Sequence, residues 1–130
     1  MMVQEGAPSM RLTPAQPGAV WVARLRPYED LVASLHAFCI DNGLRRIHVL
    51  GCVGSLMHGT VLRPDGTTIR IEGPGVEILS AAGWLDAENP EQSFLALTLG
   101  DRAGGVQAGQ AAQSGNPVCV TAELMLQEWQ

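Results

Sequence analysis

The glycine-rich stretch GDRAGG, residues 100–105, is the first candidate for chemistry, because it places a carboxylate and a guanidinium between glycines. A phosphate-binding loop of the Walker type needs a lysine, and a dinucleotide-binding loop needs a helix directly after its glycines. This stretch has no lysine, and the VQAGQ that follows has the pattern of a short strand. Asp101 and its glycines therefore predict a hairpin turn between two strands.

A second glycine-bearing stretch, GCVGS at residues 51–55, brings Cys52 and Ser55 together and could resemble a nucleophile loop. It lacks the G-x-S-x-G elbow, and no histidine and acid can be assigned to it by spacing. We therefore predict a strand whose glycines allow close backbone packing, and we assign no catalytic residue.

The three histidines do not have the spacing of metal ligands. His36, His48 and His58 are separated by twelve and ten residues, so no pair is arranged as His-x-His or His-x-x-x-His. Metal sites are normally built from clustered ligands. The sequence predicts neither a metal nor another cofactor.

Polar residues within apolar strands give an alternative hypothesis. Glu77 lies inside the apolar run GVEILS and must face solvent, a partner or an arginine such as Arg24 or Arg70. A small pocket at a subunit interface, either a ligand site or an enzyme site, would use several such residues. Its candidates are Arg24, Ser55, Glu77, Asp101 and Gln110.

The charge balance argues against nucleic acid as a direct partner. Thirteen acidic residues against eight basic ones give a net charge of -5. Direct DNA binding would require a local basic face, for which Arg45, Arg46, Arg63 and Arg70 would have to converge. The stretch ARLRP is superficially similar to an AT-hook core, but Leu25 stands where close approach to a minor groove requires glycine.

Cysteine usage and the lack of a long apolar run favour the cytoplasm. Cys39, Cys52 and Cys119 are odd in number and lie in apolar surroundings, as expected of free thiols in a reducing compartment. The N-terminal residues lack the basic and apolar regions of a signal peptide, and we expect no membrane association.

The elements that position these residues follow from the hydrophobic pattern. Residues 1–18 lack periodicity and are expected to form a flexible arm, and residues 19–130 to form a single domain. Apolar residues recur at helical spacing over residues 28–42, with acids expected in the first turn, Pro27 at its start and Gly43 as a cap. Alternating runs elsewhere predict an α+β fold with a mostly antiparallel sheet of about seven strands and one amphipathic helix packed on it.

The order of several segments resembles the PPC domain, the plants and prokaryotes conserved domain, in its stand-alone prokaryotic form. The resemblance covers about residues 20–126, and its strongest matches are GVEILS, the LTLGDRAG run that ends at Gly104, and VTAE near the end. It implies the same α+β fold, assembly as a homotrimer, and contacts with other proteins. In plant members the AT-hook that binds A·T-rich DNA lies outside this domain.

The resemblance also assigns candidate residues. A Gly-Arg-Phe-Glu-Ile-Leu partner-binding segment of plant members aligns with residues 74–79, so that Val76, Glu77, Ile78 and Leu79 are candidate partner contacts. Many prokaryotic relatives carry three histidines, candidate metal ligands, where this chain has Phe94, Ala96 and Gln110. The leading hypothesis is a non-enzymatic oligomeric binding or scaffold protein, which family resemblance alone would label as DNA-binding.

Overall fold

The computed structural model describes residues 10–129, which form one α-helix and eight strands. The strands are β1 (Pro17–Leu25), β2 (Arg46–Leu56), β3 (Gly59–Leu62), β4 (Thr68–Ile71), β5 (Val76–Asp86), β6 (Phe94–Gly100), β7 (Val106–Ala111) and β8 (Val118–Trp129). The helix α1 spans Leu31–Asp41, and a single 3₁₀ turn covers Pro90–Gln92. The α+β class is confirmed. The structure has eight strands, slightly more than the expected number of about seven.

All strands belong to one antiparallel sheet in the order β1-β8-β2-β5-β6-β7-β3-β4. Side chains alternate between the two faces, as strand geometry requires. The inner face carries the apolar core together with the buried side of α1, whose Leu31, Leu35 and Cys39 are at most 1% exposed. The opposite face is the outer face, and the candidate site lies there.

The helix begins three residues later than the pattern predicts. Tyr28 has a φ of 69°, in the left-handed region, and its N–H donates to the carbonyl of Val118, so it cannot belong to a helical turn. Asp30 is the N-cap, with its carboxylate accepting from the N–H of Ala33 at 3.0 Å. The acids expected in the first turn therefore precede the helix, and Pro27 does not occupy its first position. Gly43, with a φ of 65°, follows the end of the helix as expected.

Two further expectations are settled by the strand register. GDRAGG is confirmed as a turn, since Asp101 accepts from the N–H groups of Ala103 and Gly105 at 2.9 and 2.8 Å between β6 and β7. The glycine of GCVGS allows close approach, because a Cβ on Gly54 would collide with the carbonyl oxygen of Thr121. β1 begins two residues inside the predicted arm, and residues 1–9 of that arm lie outside the described part of the chain.

Asn116, fully buried in the segment between β7 and β8, ties three parts of the fold together. Its side chain pairs with both backbone groups of Thr60, accepting from the N–H at 2.9 Å and donating to the carbonyl at 3.0 Å. Its own N–H donates to Asp30 at 2.9 Å, and its carbonyl accepts from Leu31 at 3.0 Å. The side chain thus acts as a strand partner for β3 while the backbone holds the start of α1.

Replacing Asn116 should destabilise the fold strongly. We expect Asn116→Ala to lower the free energy of unfolding by about 2–3 kcal/mol, because the N–H of Thr60 loses its partner and the carbonyl of Thr60 keeps only the N–H of Ala112. Chemical denaturation followed by circular dichroism measures the loss. Asn89→Ala is the matched control, since the Asn89 side chain makes no hydrogen bond within residues 10–129. Equal losses in the two variants would contradict the role given to Asn116.

Candidate functional site

The predicted polar pocket is divided among three places in one chain. Ser55 on β2 is the register partner of Glu77 on β5, and Glu77 is the partner of Gly100, the residue before Asp101. Ser55, Glu77 and Asp101 therefore lie at the same end of three neighbouring central strands. Asp101 there serves its turn, whereas the Glu77 carboxylate is exposed and has no partner within the described residues.

The other two members of that set lie elsewhere. Arg24 on the edge strand β1 lies 3.6 Å from Glu123 and donates to Thr121 at 3.3 Å. Gln110 on β7 is paired with Ala96 and donates to the carbonyl of Ser93 at 3.2 Å, toward the opposite end of β6 from Asp101. A pocket that uses all five residues would therefore need more than one copy of the chain.

The candidate partner segment at the start of β5 presents only half of its side chains. Val76 and Ile78 face the core, at 0% and 5% exposure, while Glu77 and Leu79 point outward. Any partner that contacts this segment from the outer face meets the carboxylate of Glu77 and the isobutyl group of Leu79.

The three histidines are separated from one another by the fold. His36 lies on α1, His48 on β2 and His58 between β2 and β3. Burial raises the pKa values of Cys39 and Cys52 to about 11, with Asp86 adding to the effect at Cys39, so both thiols stay protonated at neutral pH. Among residues 10–129, no group of three histidine, cysteine or acidic side chains could hold a metal ion.

The three positions at which relatives carry histidines lie together on the outer face. Phe94 and Ala96 alternate along β6, and Ala96 is the register partner of Gln110 on β7. Beside them is a cavity of about 320 Å³, which Arg63 also lines. The Nε of Arg63 is buried and has no hydrogen-bond partner within the described chain. A phenyl ring, a methyl group and one amide do not fit a metal, so no metal chemistry follows at this position.

A row of four rings crosses the outer face, and sequence reasoning missed it. The aromatic row consists of Trp129 on β8, His48 on β2, Trp84 on β5 and Phe94 on β6. His48 meets Trp129 edge-on at 4.8 Å, and Trp84 lies 5.9 Å from Phe94. His48 and Trp84 are register partners. The four residues are far apart in sequence, so only the pairing of the strands could have brought them to notice.

An ion pair and a short loop hold one end of this row. Arg46 donates to the buried carboxylate of Asp86 at 3.3 Å, and the N–H groups of Glu88 and Asn89 donate to the same carboxylate. Burial raises the pKa of Asp86, but the Asn89 and Glu88 N–H groups and Arg46 outweigh it and hold the pKa below its ordinary value. The carboxylate therefore remains charged at neutral pH.

Apolar side chains also cluster on the outer face, across β1, β8 and β2. The outer apolar patch consists of Val20, Val22, Leu50, Val53 and Met125. All five are exposed, Val22 at 77% and Val53 at 74%. An irregularity in the pairing of β2 with β8 between Val49 and Gly51 leaves Leu50 outside the core. A cavity of about 350 Å³ opens within this patch.

The arginines do not converge into a basic face. The described residues include five ion pairs between an arginine and an acid: Arg24–Glu123, Arg26–Glu29, Arg45–Glu88, Arg46–Asp86 and Arg70–Glu72. Arg63 instead donates to Gln107 at 3.0 Å and Arg102 to the carbonyl of Gly73 at 3.2 Å. Positive charge is thus largely compensated locally. No helix within residues 10–129 is long and apolar enough to cross a membrane.

Comparisons with known proteins identify what this architecture is similar to. The sequence model described as the Plants and Prokaryotes Conserved (PCC) domain matches residues 12–130. A hypothetical protein from Salmonella enterica has a similar structure, with 27% identity, a TM-score of 0.75, and coverage of 91% of this chain and 80% of its own. No curated protein matches the chain.

Two other solved structures are more distant in sequence and show the fold alone. A plant- and prokaryote-conserved protein from Pyrococcus horikoshii is 19% identical, with a TM-score of 0.73 and coverage of 93% of this chain and 85% of its own. A protein from Bacteroides thetaiotaomicron, named as a possible DNA-binding protein, is 16% identical, with a TM-score of 0.68 and coverage of 88% and 83%.

The outer-face geometry allows a direct test of the missing metal ligands. We expect the wild-type protein to bind no stoichiometric Zn²⁺ in calorimetry. The triple variant Phe94→His, Ala96→His, Gln110→His should gain a site, because its three imidazoles would project from neighbouring positions of β6 and β7. Gln110→His alone is the control and should bind only weakly. Stoichiometric binding by the wild-type protein would contradict the assignment.

Proposed function

The chain belongs to the plants and prokaryotes conserved domain family, and from this premise we propose that it is a self-associating, non-enzymatic binding protein that works as a homotrimer. The trimer is what the family resemblance implies. The proposed role is a general one: the protein is a scaffold that presents an assembled surface to protein partners or to a small ligand. One observation carries the proposal, namely the outer apolar patch.

The patch has the properties of a subunit contact. Five exposed aliphatic side chains on adjacent strands are costly in water, since apolar burial contributes about 25 cal/mol per Å². At its margin, Arg24 and Glu123 form an ion pair, so a second copy meets no net charge there. Self-association would bury this face, which the one helix within residues 10–129 leaves uncovered.

A closed ring of three copies needs a second surface, because each contact in a ring joins two different patches. The outward residues of β5 are a suitable partner for the patch. Leu79 is 55% exposed and adds apolar area, and Glu77 beside it is an unpartnered carboxylate among the described residues. Such a contact would also place Ser55, Glu77 and Asp101 beside a neighbouring copy, where an interfacial pocket could form.

We propose no enzymatic activity because the candidate catalytic groups described above are protonated or already engaged. The thiols of Cys39 and Cys52 stay protonated at neutral pH, and Asp101 is committed to its turn. The Asp86 carboxylate acts on both His36 and Cys39, but it raises the pKa of the Cys39 thiol and so disfavours a thiolate nucleophile. The geometry therefore favours binding over catalysis.

Disrupting the patch should dissociate the assembly. We expect wild-type protein at micromolar concentration to have the mass of a trimer, and Val53→Glu to shift it toward the monomer, because three carboxylates would otherwise be buried in apolar contacts. Light scattering coupled to size exclusion measures the mass.

Ile40→Glu is the matched control, because Ile40 is 70% exposed on α1, away from the patch. It should leave the mass unchanged. A monomeric wild-type protein, or a Val53→Glu variant that assembles as the wild type does, would overturn the proposal.

Direct DNA binding is the second candidate function, and the name of the Bacteroides relative is what favours it. Against it stand the net charge of -5 and the five arginine ion pairs. Binding to the phosphate backbone gains its free energy mainly from counterions released by unpaired basic groups. Arg70 and Arg102 do line one cavity, but Glu72 and Asp101 line it as well and leave it without a clear excess of positive charge.

We therefore expect duplex DNA, whether A·T-rich or mixed in sequence, to bind weakly. Fluorescence anisotropy at low salt should show no saturation at micromolar protein. Arg45→Ala combined with Arg46→Ala should change little, since both arginines are engaged by Glu88 and Asp86. Tight binding with a steep salt dependence that this double variant weakens would instead establish a basic face.

A further inference from the structure

The aromatic row concentrates the chain's scarce aromatic residues at one exposed place. The chain has three tryptophans, two phenylalanines and one tyrosine, and three of these six residues lie in the row. Trp84 is 41% exposed and Phe94 43% exposed, although both could have been buried in a core built mainly of Leu, Val and Ile. Exposed aromatic surface of this kind commonly marks a binding site.

A cavity of about 310 Å³ lies beside the row, and Trp84 and Trp129 both line it. His48 and Arg46 also line it, and Gln92 lies at its margin. This volume is at the lower end of the range for small-molecule sites. The cavity therefore suits a ligand of one or two rings rather than a peptide.

The walls of this cavity are held in place before any ligand arrives. The indole N–H of Trp84 donates to the carbonyl of Gln92 at 2.7 Å. The loop that carries Gln92 is fixed in turn by Asp86, which accepts from Glu88 and Asn89 and whose own N–H donates to Ser93. A preorganised wall loses little conformational entropy on binding.

Polar groups at the margin could pair with the edge of a ring. Arg46 makes one hydrogen bond, to Asp86, and the side chains of His48 and Gln92 make none within residues 10–129. Together they offer donors and acceptors beside two aromatic faces. This combination matches a planar heteroaromatic ring, whose faces stack and whose edge both donates and accepts. The charges of Arg46 and Asp86, which both line the cavity, compensate each other, so an uncharged ring fits the site.

From this arrangement, we propose that the cavity lined by Trp84 and Trp129 binds a nucleobase, carried by a free nucleoside. The net charge of -5 disfavours a polymer of phosphates, which would have to approach the whole surface. A single uncharged nucleoside avoids this repulsion. The site is separate from the contact proposed for self-association and does not depend on it.

Calorimetry with adenosine, guanosine, cytidine and uridine tests the proposal, with free ribose as the ligand control. We expect saturable binding of at least one nucleoside, quenching of tryptophan fluorescence, and no response to ribose. Failure of all four nucleosides to bind at millimolar concentration would overturn the proposal, as would equal binding of ribose. Binding of a single-stranded oligonucleotide but of no free nucleoside would also overturn it, in favour of a polymer site.

Tryptophan variants locate the binding. Trp84→Leu and Trp129→Leu should each weaken binding by about tenfold or more, because stacking on an aromatic ring is lost. Trp21→Phe is the matched control, since Trp21 packs inside against Phe38 at 5.3 Å, and it should leave the affinity unchanged. Should Trp84→Leu fail to fold, Trp129→Leu at the end of β8 still decides the matter. Unchanged affinity in a folded Trp129→Leu variant would overturn the assignment, and the oligomeric mass of each variant separates this result from loss of assembly.

Discussion

The hydrogen bonds of Asn116 are the constraint on which the rest of this structure depends. The central strands are held by continuous ladders, but β3 leaves its ladder near Thr60, where a side chain must replace a strand. The backbone of the same residue also holds the start of α1, because its N–H donates to Asp30 and its carbonyl accepts from Leu31. Because the side chain and the backbone of this one residue make these contacts, the β3–β4 hairpin and the start of the helix are both tied to the segment that leads into β8.

The inner face of the sheet packs in the core, so the surfaces that can bind a partner or a ligand lie on the outer face. Alternation along each strand decides this residue by residue: on β5, Val76 and Ile78 face inward while Glu77 and Leu79 face outward. A single helix covers only one side of an eight-stranded sheet. The outer apolar patch and the aromatic row therefore arise from the same imbalance between sheet area and helix area.

The sequence predicted local features well and long-range features poorly. The helix, the Asp101 turn and the strand runs follow from spacing and turn residues, which act over a few positions. The predicted start of the helix was wrong because of contacts from a distant part of the chain. Val118 binds Tyr28, and Asn116 binds Asp30 across 86 residues of sequence. Strand alternation alone would place Val118, Val120 and Ala122 on one face of β8, yet Val120 is 69% exposed while the other two are buried. In the candidate site, the aromatic row depends on pairing four strands in register, information that no local pattern carries.

The register also connects the two outer-face features to each other. Val20, at one margin of the patch, is paired with Gln127 on β8, and Gln127 is paired with His48, which lines the cavity of the aromatic row. A second copy that covers Val20 would therefore lie one strand away from a ligand beside His48. The cavity and the patch are nevertheless built from different side chains, so a ligand can occupy the cavity without the assembly. Any effect of one binding event on the other would have to pass through the paired backbones of β1, β8 and β2, and by linkage it would be equal in both directions.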